Sequence, residues 1–86
     1  MVKYDRLRDL LRRERRPAVT LTLAQISDAV PDGLPSSAHR YRAWWSNETA
    51  GSHVQARGWL DAGYIATAVN LSAGTVAFER LTREVG

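Results

Sequence analysis

Between Ser52 and Tyr64 the chain reads Ser-His-Val-Gln-Ala-Arg-Gly-Trp-Leu-Asp-Ala-Gly-Tyr, then passes at once into two alternating segments separated by a glycine turn. Ala56, Trp59, Leu60 and Gly63 recur at i, i+3, i+4 and i+7, the spacing of one inward helical face. Ser52, with Gln55 three residues later, has the form of a capping box, which satisfies the first free N–H groups of a helix. Gly63 suits the residue just past the helix, where the backbone turns left-handed. Tyr64 to Asn70 alternates Ile65, Thr67 and Val69 against Tyr64, Ala66 and Ala68. Leu71-Ser72-Ala73-Gly74 supplies a loop, and Thr75 to Leu81 alternates again with Val76 and Phe78 inward. The segment predicts a short helix feeding a β-hairpin, with His53, Gln55 and Arg57 on the exposed side of the helix.

The upstream residues fill in the rest. Tyr4, Leu7, Leu10, Leu11 and Glu14 follow helical spacing and predict a first helix over residues 3–15. Asp5 with Arg8, and Asp9 with Arg12 or Arg13, would pair on its outer face, and Pro17 would end it. Val19-Thr20-Leu21-Thr22-Leu23 alternates strictly and reads as a short strand. Thr22 and Gln25 form a second capping box, opening a helix whose stripe runs through Leu23, Ile26, Ala29 and Val30 until Pro31-Asp32-Gly33 closes it. A serine of the pair Ser36-Ser37 would cap a third helix running to about Ser46, with Ala38, Tyr41 and Trp45 on one face and Trp44 beside them. Asn47 to Gly51 is a polar loop. The order is helix, strand, helix, helix, helix, strand, strand in a single α+β domain spanning residues 1–86.

Composition narrows the functional classes. The chain has 86 residues, 44% of them hydrophobic and 24% charged, as in an ordinary globular domain with a core of barely sufficient size. It has no cysteine and two histidines far apart, so no disulfide frame, metal site or cofactor is expected. The N-terminus opens without an apolar leader and no stretch is long enough to span a membrane, which predicts a cytoplasmic location with no membrane partner. His39, His53, Asp61 and Glu48 are the acid/base candidates. None sits in a nucleophile elbow, a zinc-binding helix or a phosphate loop, so an enzyme is not expected.

Charge points the other way. The formal net charge is +3, and eleven of the twelve cationic residues are arginine, the side chain that grips phosphate as a bidentate fork. That balance suits a polyanionic partner, although the codon usage of a GC-rich genome gives the same excess. Arg12 and Arg13 fall in a run ending at Arg16, which either clamps phosphate or is a solvated helix end favoured by the helix dipole. In the fourth helix Ser52, His53, Gln55 and Arg57 could meet base edges, glutamine pairing with adenine and arginine with guanine. Ser37, His39, Arg40, Arg42 and Asn47 give the third helix an equally polar surface, and the sequence does not choose between the two. Trp44 is either half-covered core or the centre of a docking patch for a partner protein.

A helix, strand and two helices followed by a hairpin is the element order of a winged helix-turn-helix, which this chain resembles with one extra helix. The resemblance implies double-stranded DNA binding, with the helix before the hairpin in the major groove. The chain also resembles a small bacterial family of domains of unknown function. The residues that carry this likeness include Lys3-Tyr4-Asp5, Leu34-Pro35-Ser36-Ser37-Ala38 and Trp44-Trp45-Ser46-Asn47, then His53 with Gln55 through Tyr64, and Val76, Phe78 and Arg80. Similar domains occur alone and beside other modules, which implies a binding role, and the family pattern adds Ser37, Asn47 and His53 to the residues of interest. The combined expectation is a nucleoid-associated or regulatory DNA-binding protein, acting as a homodimer so that two weak half-site contacts add. The alternative is a protein-interaction module centred on Trp44. Steep salt dependence of binding separates the two.

Overall fold

The computed structural model describes residues 4–47 and 54–81. Helix α1 (Asp5–Arg13) leads to strand β1 (Ala18–Thr22), helix α2 (Leu23–Asp28) and helix α3 (Ser36–Arg40). A 3₁₀ turn over Arg42–Trp45 follows. A second over Val54–Ala56 runs straight into helix α4 (Arg57–Leu60), and β2 (Tyr64–Asn70) and β3 (Thr75–Arg80) close the fold. The three strands make one antiparallel sheet in the order β1-β3-β2. Ala18 lies opposite Glu79 and Thr22 opposite Thr75 on one side of β3, while Tyr64 lies opposite Arg80 on the other. The result is a mixed α+β unit in which the sheet and all four helices contribute to one core.

That core follows the apolar spacing of the sequence. Leu7 and Leu11, one turn apart on α1, are buried with Val19, Leu23, Ile26, Ala38, Trp45, Trp59, Tyr64, Val76 and Phe78. The capping box at the start of α2 is complete. Thr22 Oγ1 accepts the Gln25 N–H at 3.0 Å, and Gln25 Oε1 accepts the Thr22 N–H at 2.8 Å. At the other end of that helix, Asp32 (φ 67) and Gly33 (φ 76) both turn left-handed, which gives the Pro31-Asp32-Gly33 segment its sharp reversal.

Several elements depart from the sequence reading. Helix α1 ends at Arg13, well before Pro17, because Glu14 adopts an extended backbone. Its carboxylate then accepts the N–H groups of Arg15 and Arg16. Asp5 does pair with Arg8, at 3.4 Å, but Asp9 also turns to Arg8 instead of Arg12 or Arg13. Strand β1 starts at Ala18, and Leu23 already belongs to α2.

The expected third helix is broken. Pro35, not a serine, occupies its cap position and provides no side-chain bond, and Tyr41 is extended (φ −124, ψ 119). The break leaves the Ala38 carbonyl without its helical donor, and the buried indole of Trp45 donates to it at 2.9 Å. Ala38 and Trp45 therefore meet in the core as expected, whereas Tyr41 turns outward and is 59% exposed.

In β2 the alternation changes phase. Ala66 pairs with Phe78 and Ala68 with Ala77, so Thr67 is an extra, bulged residue. Tyr64 and Ala66 face the core before the bulge and Val69 after it, which corrects the simple two-residue alternation.

Candidate nucleic-acid interface

The segment from α3 to Asn47 is mounted on a cluster of aromatic rings. Trp45 stacks on Trp59 with centroids 5.5 Å apart and planes 27° from parallel. Trp44 meets Trp45 edge-on at 4.7 Å and Tyr4 at 6.1 Å, and Trp59 reaches Phe78 of the sheet at 5.7 Å. Edge-on and offset arrangements suit the ring quadrupoles. Burial beside Trp44 raises the Tyr4 phenol above its ordinary pKa. Trp44 is half buried, so most of what the sequence offered as a docking centre is engaged within the fold.

Two polar side chains lock this cluster in place, and both belong to the set that the sequence pattern assigns to the DNA-reading surface. Asn47 Oδ1 accepts the Trp59 indole N–H at 2.8 Å and the Ala66 N–H at 2.9 Å, while its Nδ2 donates to the Ala66 carbonyl at 3.0 Å. Its amide thus pairs with the outer edge of β2 as another strand would. Gln55 is only 7% exposed, and its Nε2 donates to the Trp44 carbonyl at 2.9 Å. It turns inward because the chain there winds as a 3₁₀ turn before α4, which rotates the face that a continuous helix would have exposed.

The same winding leaves most of α4 buried. Gln55, Ala56, Gly58 and Trp59 are buried and Leu60 is half buried, which leaves Arg57 as the exposed side chain between residues 55 and 60. Gly58 packs so closely on α1 that a Cβ there would sit 3.1 Å from Tyr4 Cβ. Ser52 and His53 lie outside the described residues.

Helix α3 and the turn after it are arranged differently. His39, Arg40, Tyr41 and Arg42 are all exposed in succession, and Ser37 is half buried beneath them. No aspartate or glutamate occurs between Gly33 and Asn47, and among the described residues neither Arg40 nor Arg42 is in a salt bridge. The result is a cationic ridge with no ion-pair partner among the described residues.

Arg12 and Arg13 belong to a separate surface. They occupy the last turn of α1, about 12 Å along the helix axis from its Tyr4 end at the usual rise per residue, and it is Tyr4 that touches Trp44. Both are exposed, and Arg12 donates to the Asp61 carbonyl at 3.3 Å, beside the end of α4. Those of the predicted residues that are described therefore divide into a ridge of Ser37, His39, Arg40 and Arg42, the exposed arginines Arg12, Arg13 and Arg57 outside it, and two structural braces, Asn47 and Gln55. Tyr41 is the residue that sequence reasoning places on the wrong side. Its position between two arginines is the signal that could have found it.

No group of three His, Cys, Asp or Glu side chains among the described residues is placed to hold a metal ion, and none of the described helices is long and apolar enough to cross a membrane. Fold and surface define a small α+β domain with a basic ridge braced by an aromatic cluster. The chain belongs to the family described as a domain of unknown function (DUF7662), whose pattern matches residues 4–82. No curated protein and no solved structure matches it.

Proposed function

We propose that this chain binds double-stranded DNA through the α3 ridge, as a transcriptional regulator or chromosome-associated protein with no catalytic role. The observation that carries the reading is the run His39, Arg40, Arg42, exposed and, among the described residues, without a salt-bridge partner. Arginines placed this way release counterions when they meet phosphate, and that release is a major source of affinity for a duplex. The element order and the sheet order β1-β3-β2 support a winged-helix-like scaffold in which a hairpin flanks the reading surface. The burial of α4 favours α3 as the element that approaches the groove. Arg12, Arg13 and Arg57 then serve as flanking phosphate contacts.

A fluorescence anisotropy titration against random and genomic duplexes, at a low and a moderate salt concentration, tests this. Binding that weakens steeply with salt is the expected result. Arg40→Ala and Arg42→Ala should each lower the slope of log affinity against log salt by about 1. Absence of binding to every duplex at low salt overturns the proposal. If Arg57→Ala alone abolishes sequence preference, the assignment to α3 is overturned.

A further inference from the structure

Tyr41 is set apart from the other aromatic side chains. The chain has three tryptophans, three tyrosines and one phenylalanine. Six of these seven are at least half buried, whereas Tyr41 is 59% exposed. Among the described residues no ring partner is found for it. Its backbone, by contrast, is fixed at both ends. Tyr41 N–H donates to the Ser37 carbonyl at 2.9 Å, and its own carbonyl accepts the Trp44 N–H at 3.1 Å. Trp44 is held in turn by Gln55 and the neighbouring rings. A planar ring is therefore presented to solvent from a rigid corner, with Arg40 and Arg42 on either side in sequence and His39 just before them.

We infer that Tyr41 is a stacking platform for an unpaired nucleobase, with the phosphates on either side of that base held by Arg40 and Arg42. An aromatic face between cations is the arrangement that binds single-stranded nucleic acid, since every base offers a π-face while arginine follows the backbone. No carboxylate occurs in the sequence from Gly33 to Asn47, so that stretch itself offers a phosphodiester no like charge. A base inside an intact duplex is stacked on its neighbours and cannot use the platform. The ridge therefore prefers DNA with a gap, a bulge or a frayed end over a continuous duplex. This deepens the proposal above, because it rests on the same ridge contacting DNA.

The test compares the full chain and its Tyr41→Leu, Tyr41→Phe and Tyr41→Trp variants on three probes. These are a continuous duplex, the same duplex with one unpaired base, and the isolated strand, with a fluorescent adenine analogue at the unpaired position. The side chain is exposed, so all variants should fold; unchanged tryptophan emission in the leucine and phenylalanine variants, and an unchanged melting temperature in all three, verifies this. The wild-type chain should bind the unpaired-base probe at least about fivefold more tightly than the continuous duplex, the lower end of what one base–aromatic stack supplies. It should also quench the analogue. The phenylalanine and tryptophan variants should keep both effects, and the leucine variant should lose both while binding the continuous duplex as before.

Equal affinity of the wild-type chain for continuous and interrupted duplex overturns the inference and leaves duplex binding standing. So does quenching that survives in the leucine variant. Tyr41-dependent binding to the single strand, with none to the duplex, overturns the duplex reading and upholds the stacking platform. No binding to any probe overturns both.

Discussion

At the scale of single residues, the chain's polar side chains divide by what they bond to, and Asn47 shows how far that division escapes a sequence pattern. An asparagine after two tryptophans and a serine is indistinguishable in sequence from a surface hydrogen-bonding group. In the fold its amide fills the outer edge of β2 at Ala66 and accepts the indole proton of Trp59, a side chain with no solvent exposure. Asn47→Ala removes the acceptor of that indole N–H together with both bonds to Ala66, a loss of about 1–3 kcal/mol. In a domain of this size, each kcal/mol lowers the melting temperature by about 4–8 °C. Thermal unfolding followed by tryptophan emission should show the drop, and a melting temperature equal to that of the wild-type chain would remove Asn47 from the structural frame. Because the substitution removes no charge, affinity for DNA measured well below the transition should change little.

At the scale of elements, the junction of α1 and α4 decides how the two halves of the chain meet. Gly58 lies over α1, where a Cβ would come within 3.1 Å of Tyr4 Cβ and 3.2 Å of Leu7 Cδ2. The leucine methyl can swing aside, but the tyrosine Cβ is fixed to its backbone, so the backbone at Tyr4 or α4 must give way slightly. Alanine in place of glycine gains about 1 kcal/mol of helix propensity. Overpacking a tight contact costs about 1–3 kcal/mol, so Gly58→Ala should destabilise by about 1 kcal/mol. The urea midpoint should fall without a change in slope; a midpoint that rises would mean the contact is looser than described.

Across the elements, legibility in the sequence follows how local the governing contact is. The α1 stripe of Leu7 and Leu11, the Thr22–Gln25 box and the hairpin turn with Gly74 at φ 74 follow from local rules, and each is present. The break at Tyr41, the 3₁₀ winding that buries Gln55 and the Thr67 bulge were not legible. Each goes with a contact outside the helix or strand repeat: the Trp45 indole on the Ala38 carbonyl, the Gln55 amide on the Trp44 carbonyl, and the register of β2 against β3. For that reason the proposed binding surface is assigned to the exposed ridge of α3, since Gln55 of the rival segment is buried.

At the scale of the whole molecule, the chain leaving α1 is pinned to the end of the sheet. The hydroxyl of Tyr64 lies between the carbonyls of Glu14 and Arg16, at 3.1 and 2.8 Å. Arg80 donates to that hydroxyl at 3.0 Å and to the Glu14 carbonyl, and its backbone N–H donates to the Pro17 carbonyl at 2.7 Å. This turn keeps its shape because the Glu14 carboxylate folds the Arg16 guanidinium back over it, at 2.9 Å. The side-chain bond from Arg16, helped by the backbone N–H groups of Arg16 and Arg15, lowers the Glu14 pKa from 4.5 to about 2. A carboxylate whose folded pKa lies below its unfolded value binds fewer protons in the folded chain, so folding gains stability as pH rises through that window. The contribution of Glu14 is thus complete above pH 4.5 and lost as pH falls toward about 2. Glu14→Gln, an isostere of the protonated acid, isolates this contribution. Urea midpoints of the wild-type and variant chains should differ at neutral pH, converge as the pH drops below 4.5, and coincide near about 2. A difference of constant size across that range would show that the contribution of this side chain does not depend on its ionisation.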